Sequence, residues 1–210
     1  MTEKIPDVDH LKAIQEAVEK EKELRQGGHT VRITIHMGAC GIASGAQKVM
    51  DTLLNEMSKC GRSDITVTRS GCIGLCSQEP LITVEVLGNE PVIYHRVDAQ
   101  KMRKIFRGHI LRGQIQDDLA LARGRDIDKE GRSAGSGSEN GIPHISQLPF
   151  FALQKPWVLR NKGLIDPERI EDYIWRDGYQ AMAKAFLEMT TSEIISEVIQ
   201  WARSQLVSKQ

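Results

Sequence analysis

The sequence predicts an α/β fold: a sheet with parallel and antiparallel parts flanked by helices, then a flexible linker and a small helical tail. Three observations predict it. Val31, Ile33 and Ile35, and again Ile82, Val84 and Val86, alternate with polar residues at the period of a half-buried strand. Ala46, Val49, Met50, Leu53, Leu54 and Met57 recur at helical spacing. From 123 to 141 the chain turns to Gly, Ser and charged residues, too polar to build a core.

Taken in order, residues 8–25 carry Leu11, Ile14, Val18 and Leu24 among many Glu and Lys, and Gly27 and Gly28 follow as a stop. This is an amphipathic leading helix. The strand at 31–36, read as having one buried face, runs into the small-residue stretch 38–45, which holds Cys40. Ser44 with Gln47 three later is a capping-box pattern for the next helix, which Gly61 ends. Ile65 and Val67 give a second strand, leading into a loop with Cys72 and Cys76. A hairpin turning at Gly88-Asn89 follows, and Asp98 caps a helix with Met102, Ile105, Phe106 and Ile110. Beyond the linker, the apolar stretch 148–159 either packs on the first domain or docks on another subunit. Three short helices close the chain, at 167–176, 179–189 and 192–206, the last behind a Thr190/Glu193 capping box. The predicted division is a domain at 1–120, a linker at 121–147 and a tail at 148–210.

Twenty-eight acidic residues balance 28 basic ones, which leaves no field to draw the chain onto nucleic acid or an anionic membrane. The N-terminus lacks the basic start and apolar run of a signal peptide, and no stretch reads as a membrane span. A cytoplasmic location is therefore expected. There thiols stay reduced, so cysteines grouped with glycines point to metal or redox chemistry rather than disulfides.

Cys72 and Cys76 stand four apart in a glycine-bearing loop, an arrangement that reads as half of an iron-sulfur site. Gly71 and Gly74 would let the backbone turn through left-handed conformations and aim N–H groups, with that of Gly41, at cluster sulfides. Cys40, just before a helix at the strand ends, can converge on the pair. Cys60 lies at the far end of that helix, roughly 25 Å away at 1.5 Å per residue, and should not be a ligand. Three thiolates leave a gap, because a two-iron cluster takes four protein ligands. His36 is the nitrogen candidate, though it reads more simply as the solvent-facing neighbour of Ile35, and Ser44 is weaker still. A zinc site, an activated thiol at Cys40 and inert core cysteines are the competing readings. No nucleophile triad, phosphate loop or dinucleotide fingerprint is present.

At 40–46, at 68–76 with Glu79-Pro80, and at 149–167, the chain resembles a known family. It is similar to the N-terminal part of the flavin-bearing, NADH-oxidising subunits of multimeric hydrogenases and of respiratory complex I, the 51 kDa subunit of the latter. The resemblance implies that 1–120 is a thioredoxin-like [2Fe-2S] ferredoxin domain with Cys40, Cys72 and Cys76 as metal ligands. It implies that 173–185 corresponds to the helical lead-in of a flavin domain. Two departures stand out. Cluster-bearing members carry a further cysteine five before the position of Cys40, where this chain has Ile35. The family also continues into a glycine-rich FMN and NADH site and into [4Fe-4S] cysteines, whereas 179–210 contains no glycine and no cysteine follows Cys76.

The expected function is thus an electron-transfer subunit of an NADH-linked oxidoreductase or hydrogenase complex. It would carry a [2Fe-2S] cluster and dock its 148–210 tail on a flavin-bearing or hydrogenase subunit, with FMN and NAD on that partner. No complete catalytic site is expected in this chain alone. The alternative is a structural subunit of such a complex that keeps the fold without the cluster.

Overall fold

The computed structural model describes residues 8–124, 141–154, 160–161 and 165–207. The chain divides into two compact units, one made of 1–21 with 170–210 and the other of 22–169. An N-terminal mixed α/β sheet region is followed by a C-terminal helical segment, as the sequence predicts.

The larger unit holds a five-stranded sheet in the order β2-β1-β3-β4-β5. Strands β1 (Val31–His36) and β2 (Ile65–Ser70) are parallel, joined through the short helix α2 (Ala39–Ala43) and α3 (Ala46–Cys60). Strand β3 (Ile82–Val86) lies antiparallel to β1 and makes a hairpin with β4 (Val92–Tyr94), turning at Gly88 with φ +83°. The fifth strand, β5 (Ala120–Arg123), pairs antiparallel with β4. It extends the sheet into the stretch that composition assigns to the linker. Within that stretch 125–140 lies outside the described residues, whereas 141–147 is described and buries Ile142, His144 and Ile145.

Periodicity decides what the sheet buries. Val31, Ile33, Ile35, Val84, Val92 and Tyr94 point to one face, where Val49 and Leu53 of α3 and Met102 and Ile105 of α4 (Ala99–Ile105) cover them. Asp98 caps α4 as expected, its Oδ1 accepting from Gln100 N–H and Lys101 N–H at 2.8 Å each. The helix then widens into a π turn, Phe106–Ile110, which carries Phe106 and His109 into the interior. His109 Nδ1 lies 2.8 Å from the Tyr94 hydroxyl oxygen, which accepts from Gln116 N–H at 3.2 Å.

The opposite face is covered too, which corrects the expectation of a one-sided β1. Thr34 and His36 are buried, His36 at 3% exposure. Leu81, Ile93 and Ala122 on that face pack against Ile73 of the cysteine loop and against Ile145 and Phe151. The segment around Phe151 therefore packs on its own domain's sheet, the first of the two alternatives left open for 148–159. Trp157 falls outside the described residues.

In the smaller unit, α1 (Val8–Gly28), whose first part belongs here, meets α5 (Ile170–Trp175). Gln15 Nε2 donates to Ile174 O at 3.0 Å, and Trp175 donates its indole N–H to Glu19. Helices α6 (Gln180–Glu188) and α7 (Thr191–Val207) follow. The capping box at the start of α7 forms as predicted, with Thr190 N–H donating to Glu193 Oε2 at 2.7 Å. Among the described residues no helix is long and apolar enough to cross a membrane.

Candidate metal and thiol site

The parallel strands β1 and β2 end side by side, with His36 opposite Ser70, so the chain leaving each strand enters the same region. Met37 N–H still donates to Ser70 O at 2.7 Å. One residue later the two chains touch: a Cβ on Gly38 would sit 2.8 Å from Cys72 Cβ and 2.9 Å from Cys72 N. Only a glycine at 38 lets the first loop lie this close to the second. A Cβ on Gly41 would likewise drive into the His36 carbonyl oxygen, so α2 begins hard against the end of its own strand.

The second loop places Cys72 and Cys76 with their sulfurs 3.6 Å apart. Two thiolates bound about 2.3 Å from one tetrahedral metal stand roughly 3.8 Å apart, so the pair has the spacing of two ligands on one metal. Both are free thiols, Cys76 exposed and Cys72 half-buried. Gly74, at φ +94°, turns the loop so that its N–H donates to Cys72 Sγ at 3.2 Å. The ring of Phe150 packs over Gly74, where an added Cβ would come within 3.0 Å of it. Ile73, between the cysteines, is the loop's anchor in the buried cluster beneath.

Cys76 opens a single 3-10 turn, Cys76–Gln78. Gln78 holds that turn from both ends, its carbonyl accepting from Arg96 N–H at 2.8 Å and its Oε1 lying 2.7 Å from His95 Nδ1. Burial lowers the pKa of His95. Glu79 is buried against this turn: Oε2 accepts from Leu81 N–H at 2.8 Å, and Oε1 has no hydrogen-bond partner among the described residues. Burial raises its pKa, with the Leu81 N–H pulling the other way. Burial also pushes the Cys72 thiol up. The Gly74 N–H opposes that rise, while Cys76 and the Glu79 carboxyl add to it.

The sequence-predicted residues divide as follows. Cys72, Cys76 and Gly74 come together as described. Gly71 lies in open space and is not among the positive-φ glycines, so the left-handed turn belongs to Gly74 alone. Cys40 is exposed in the first turn of α2 at the same end of the sheet, and Gly41 follows it, buried. Among the described residues no group of three or more His, Cys, Asp or Glu side chains stands where it could hold one metal ion. Thus the pair fits half of a four-ligand shell, and Cys40 does not extend it to three in this arrangement. Cys60 is at the other end of α3, donating to Met57 O at 3.2 Å and packed against the main core.

Two local expectations are overturned. Ser44 does not cap α3. Its hydroxyl bonds back to Cys40 O at 2.7 Å, closing α2, and Gly45 precedes α3 with no side-chain cap. His36 does not face solvent. Its Nε2 is 3.0 Å from Thr83 Oγ1 and its Nδ1 3.4 Å from Gly71 O, because the cysteine loop and the segment carrying Ile145 and Phe151 cover that side of the sheet. The sequence reading missed Gly38 and Glu79 as parts of the site. For Glu79, an acidic residue set directly before a proline and an apolar strand was the available signal.

No family model matches the chain. Over 110 residues, 52% of this chain and 86% of the relative, it is 24% identical to the NADP-reducing hydrogenase subunit HndB of Solidesulfovibrio fructosivorans. Over 75 residues, 35% of this chain and 71% of the relative, it is 32% identical to a 2Fe-2S ferredoxin of Clostridium pasteurianum. Among solved structures it is similar to a thioredoxin-like [2Fe-2S] ferredoxin from Aquifex aeolicus, at 15% identity and a TM-score of 0.42, covering 46% of this chain and 94% of that one.

Proposed function

Starting from the chain's membership of the family of the Clostridium pasteurianum 2Fe-2S ferredoxin, we propose that it is an electron-transfer subunit binding a [2Fe-2S] cluster through Cys72, Cys76 and Cys40. The observation that carries this reading is the 3.6 Å separation of two partly accessible thiols at the ends of parallel strands. When bound, such a cluster supplies one-electron exchange. The chain's own residues do the rest. Cys72 and Cys76 would provide thiolates to the cluster, the Gly74 N–H would stabilise negative charge on the Cys72 sulfur, and the Phe150 ring packs over Gly74. Cys40 is the remaining thiol at this end of the sheet and would be a further ligand. Gly41 and Gly71 are assigned as further N–H donors.

The partner in this reading is a flavin-bearing or hydrogenase subunit, which carries the FMN and NAD. Similarity to a hydrogenase subunit supports it. So do the exposed side chains of α6 and α7, among them Phe186 at 80%, Leu187 at 70% and Trp201 at 59% exposure. Phe151 is buried on its own sheet and so is not part of this docking surface.

Anaerobically purified full-length chain should contain about two irons and two labile sulfides. Reduction with dithionite should give an S = 1/2 paramagnetic signal that Cys72→Ser and Cys40→Ser abolish. A second reading, a clusterless structural subunit, is favoured by Ile35, which stands where the resemblance leads one to expect a further cysteine ligand. Iron and sulfide near zero after reconstitution would establish it and discard the first.

A further inference from the structure

The geometry points to Cys72 and Cys76 as a reversible thiol–disulfide site, closing to an intramolecular disulfide at the expense of a low-molecular-weight disulfide such as glutathione disulfide. This goes beyond metal binding and does not depend on it. The sulfurs stand 3.6 Å apart, and a disulfide bond of about 2.05 Å needs them to approach by roughly 1.5 Å. Between them, 71–75 is neither helix nor strand, and Gly71 has nothing within 4 Å of an added Cβ. The loop therefore has room to adjust, and its other features keep the two thiols in register. Ile73 anchors it from below, Gly38 backs Cys72, and Gln78 fixes the turn that begins at Cys76.

The exchange balances as two displacements. The exposed Cys76 thiolate attacks one sulfur of glutathione disulfide, forming a mixed disulfide and expelling one glutathione thiolate. Cys72 thiolate then attacks the Cys76 sulfur and expels the second. The two cysteine protons end on two glutathione thiols, the protein loses two electrons and the glutathione disulfide gains them. Cys72 has its partner already beside it, so the second step is intramolecular and outpaces capture by another molecule. Cys60 is excluded by its place at the far end of α3. In the closed state neither sulfur is a thiolate, so oxidation and metal binding compete for the same atoms.

The test uses full-length chain stripped with a chelator, with residual iron and sulfide counted on the same sample so that the metal question is read separately. It is equilibrated in glutathione buffers of increasing disulfide content, then alkylated and digested. Two of the four thiols should become unreactive, a single linked peptide should join Cys72 to Cys76, and dithiothreitol should restore all four. Cys72→Ser should instead stop at one glutathione adduct on Cys76. A second measurement is binding of phenylarsine oxide, which bridges paired thiols: about one per chain in the parent and in Cys40→Ser, none in Cys72→Ser. Four reactive thiols at every buffer ratio, a bridge involving Cys40, or arsenical binding that survives Cys72→Ser would each overturn the assignment.

Discussion

The face of the sheet under α3 and α4 and the face under the cysteine loop are both buried, but they reach that state by different means. On the helix side, aliphatic residues from four strands meet Val49, Leu53, Met102, Ile105 and Phe106 in one continuous cluster. On the cysteine side a polar group, Thr34, Thr83 and His36, lies beside a small apolar group, Leu81, Ile93 and Ala122. The cover there is loop and a single 3-10 turn rather than α-helix, contributed by Ile73, Ile145 and Phe151. Stability is concentrated on the first side. The second holds a reactive loop in place with few contacts, which leaves thiols accessible above a dry floor.

Large truncations should break this comparison most plainly. Phe106→Ala, at a site 1% exposed in the larger cluster, should cost about 3–5 kcal/mol of global stability in urea unfolding, and the thiols should change only as the whole domain unfolds. Phe151→Ala removes a comparable ring from the smaller cluster. It should cost less globally, because the loop opens before the sheet does, and should speed alkylation of Cys72 well below the unfolding transition. An unchanged Cys72 rate in Phe151→Ala would mean that the cover does not hold the loop.

Acid should separate the faces by sign. On the helix side, burial brings the His109 pKa down to about 4 from an ordinary 6.5. Its folded pKa lies below the unfolded one, so between these values the unfolded chain binds the extra proton. The stability it supports is complete above pH 6.5 and is lost as pH falls toward 4, up to about 3 kcal/mol at 1.36 kcal/mol per unit. On the cysteine side, Glu79 is shifted upward by burial. The folded state then holds its proton more tightly, and stability falls as pH rises through that window. His109→Gln should therefore flatten the acid limb of the stability profile, whereas Glu79→Gln should raise stability at neutral pH and leave the acid limb in place. Parallel profiles for Glu79→Gln and the parent would remove the carboxyl from the account.

The same contrast explains what the sequence made legible. The first four strands, the helices α1, α3 and α4, the Asp98 cap, the Gly61 stop, the hairpin and the Thr190/Glu193 box are local, fixed by neighbours within a few residues, and each appears where the pattern places it. The helix-covered face was legible through periodicity. The other face was not, because the burial of His36 depends on the cysteine loop and on Ile145 and Phe151, far along the chain. Strand β5, with the Ala-rich sequence Ala120-Leu-Ala-Arg123, lacks the β-branched residues that mark a strand. At the site, the Cys-x3-Cys spacing announced the pair. Glycine spacing did not reveal that Gly38 works by close approach and Gly71 by neither approach nor dihedral.

That last distinction offers the finest test of the two faces. Gly38→Ala and Gly71→Ala add the same methyl group at nearly the same end of the sheet. At 38 the methyl meets Cys72 Cβ and backbone at under 3.0 Å, so one loop must move away from the other, at a cost of roughly 1–3 kcal/mol. At 71 it meets nothing within 4 Å, and the change should lie within about 0.5 kcal/mol. Stability is the smaller part of the readout. Since Gly38 backs Cys72, its substitution should also shift the ratio at which glutathione closes the Cys72–Cys76 bridge, while Gly71→Ala leaves that ratio where it was. Equal effects at the two positions would show that the loops are not held against each other at Gly38.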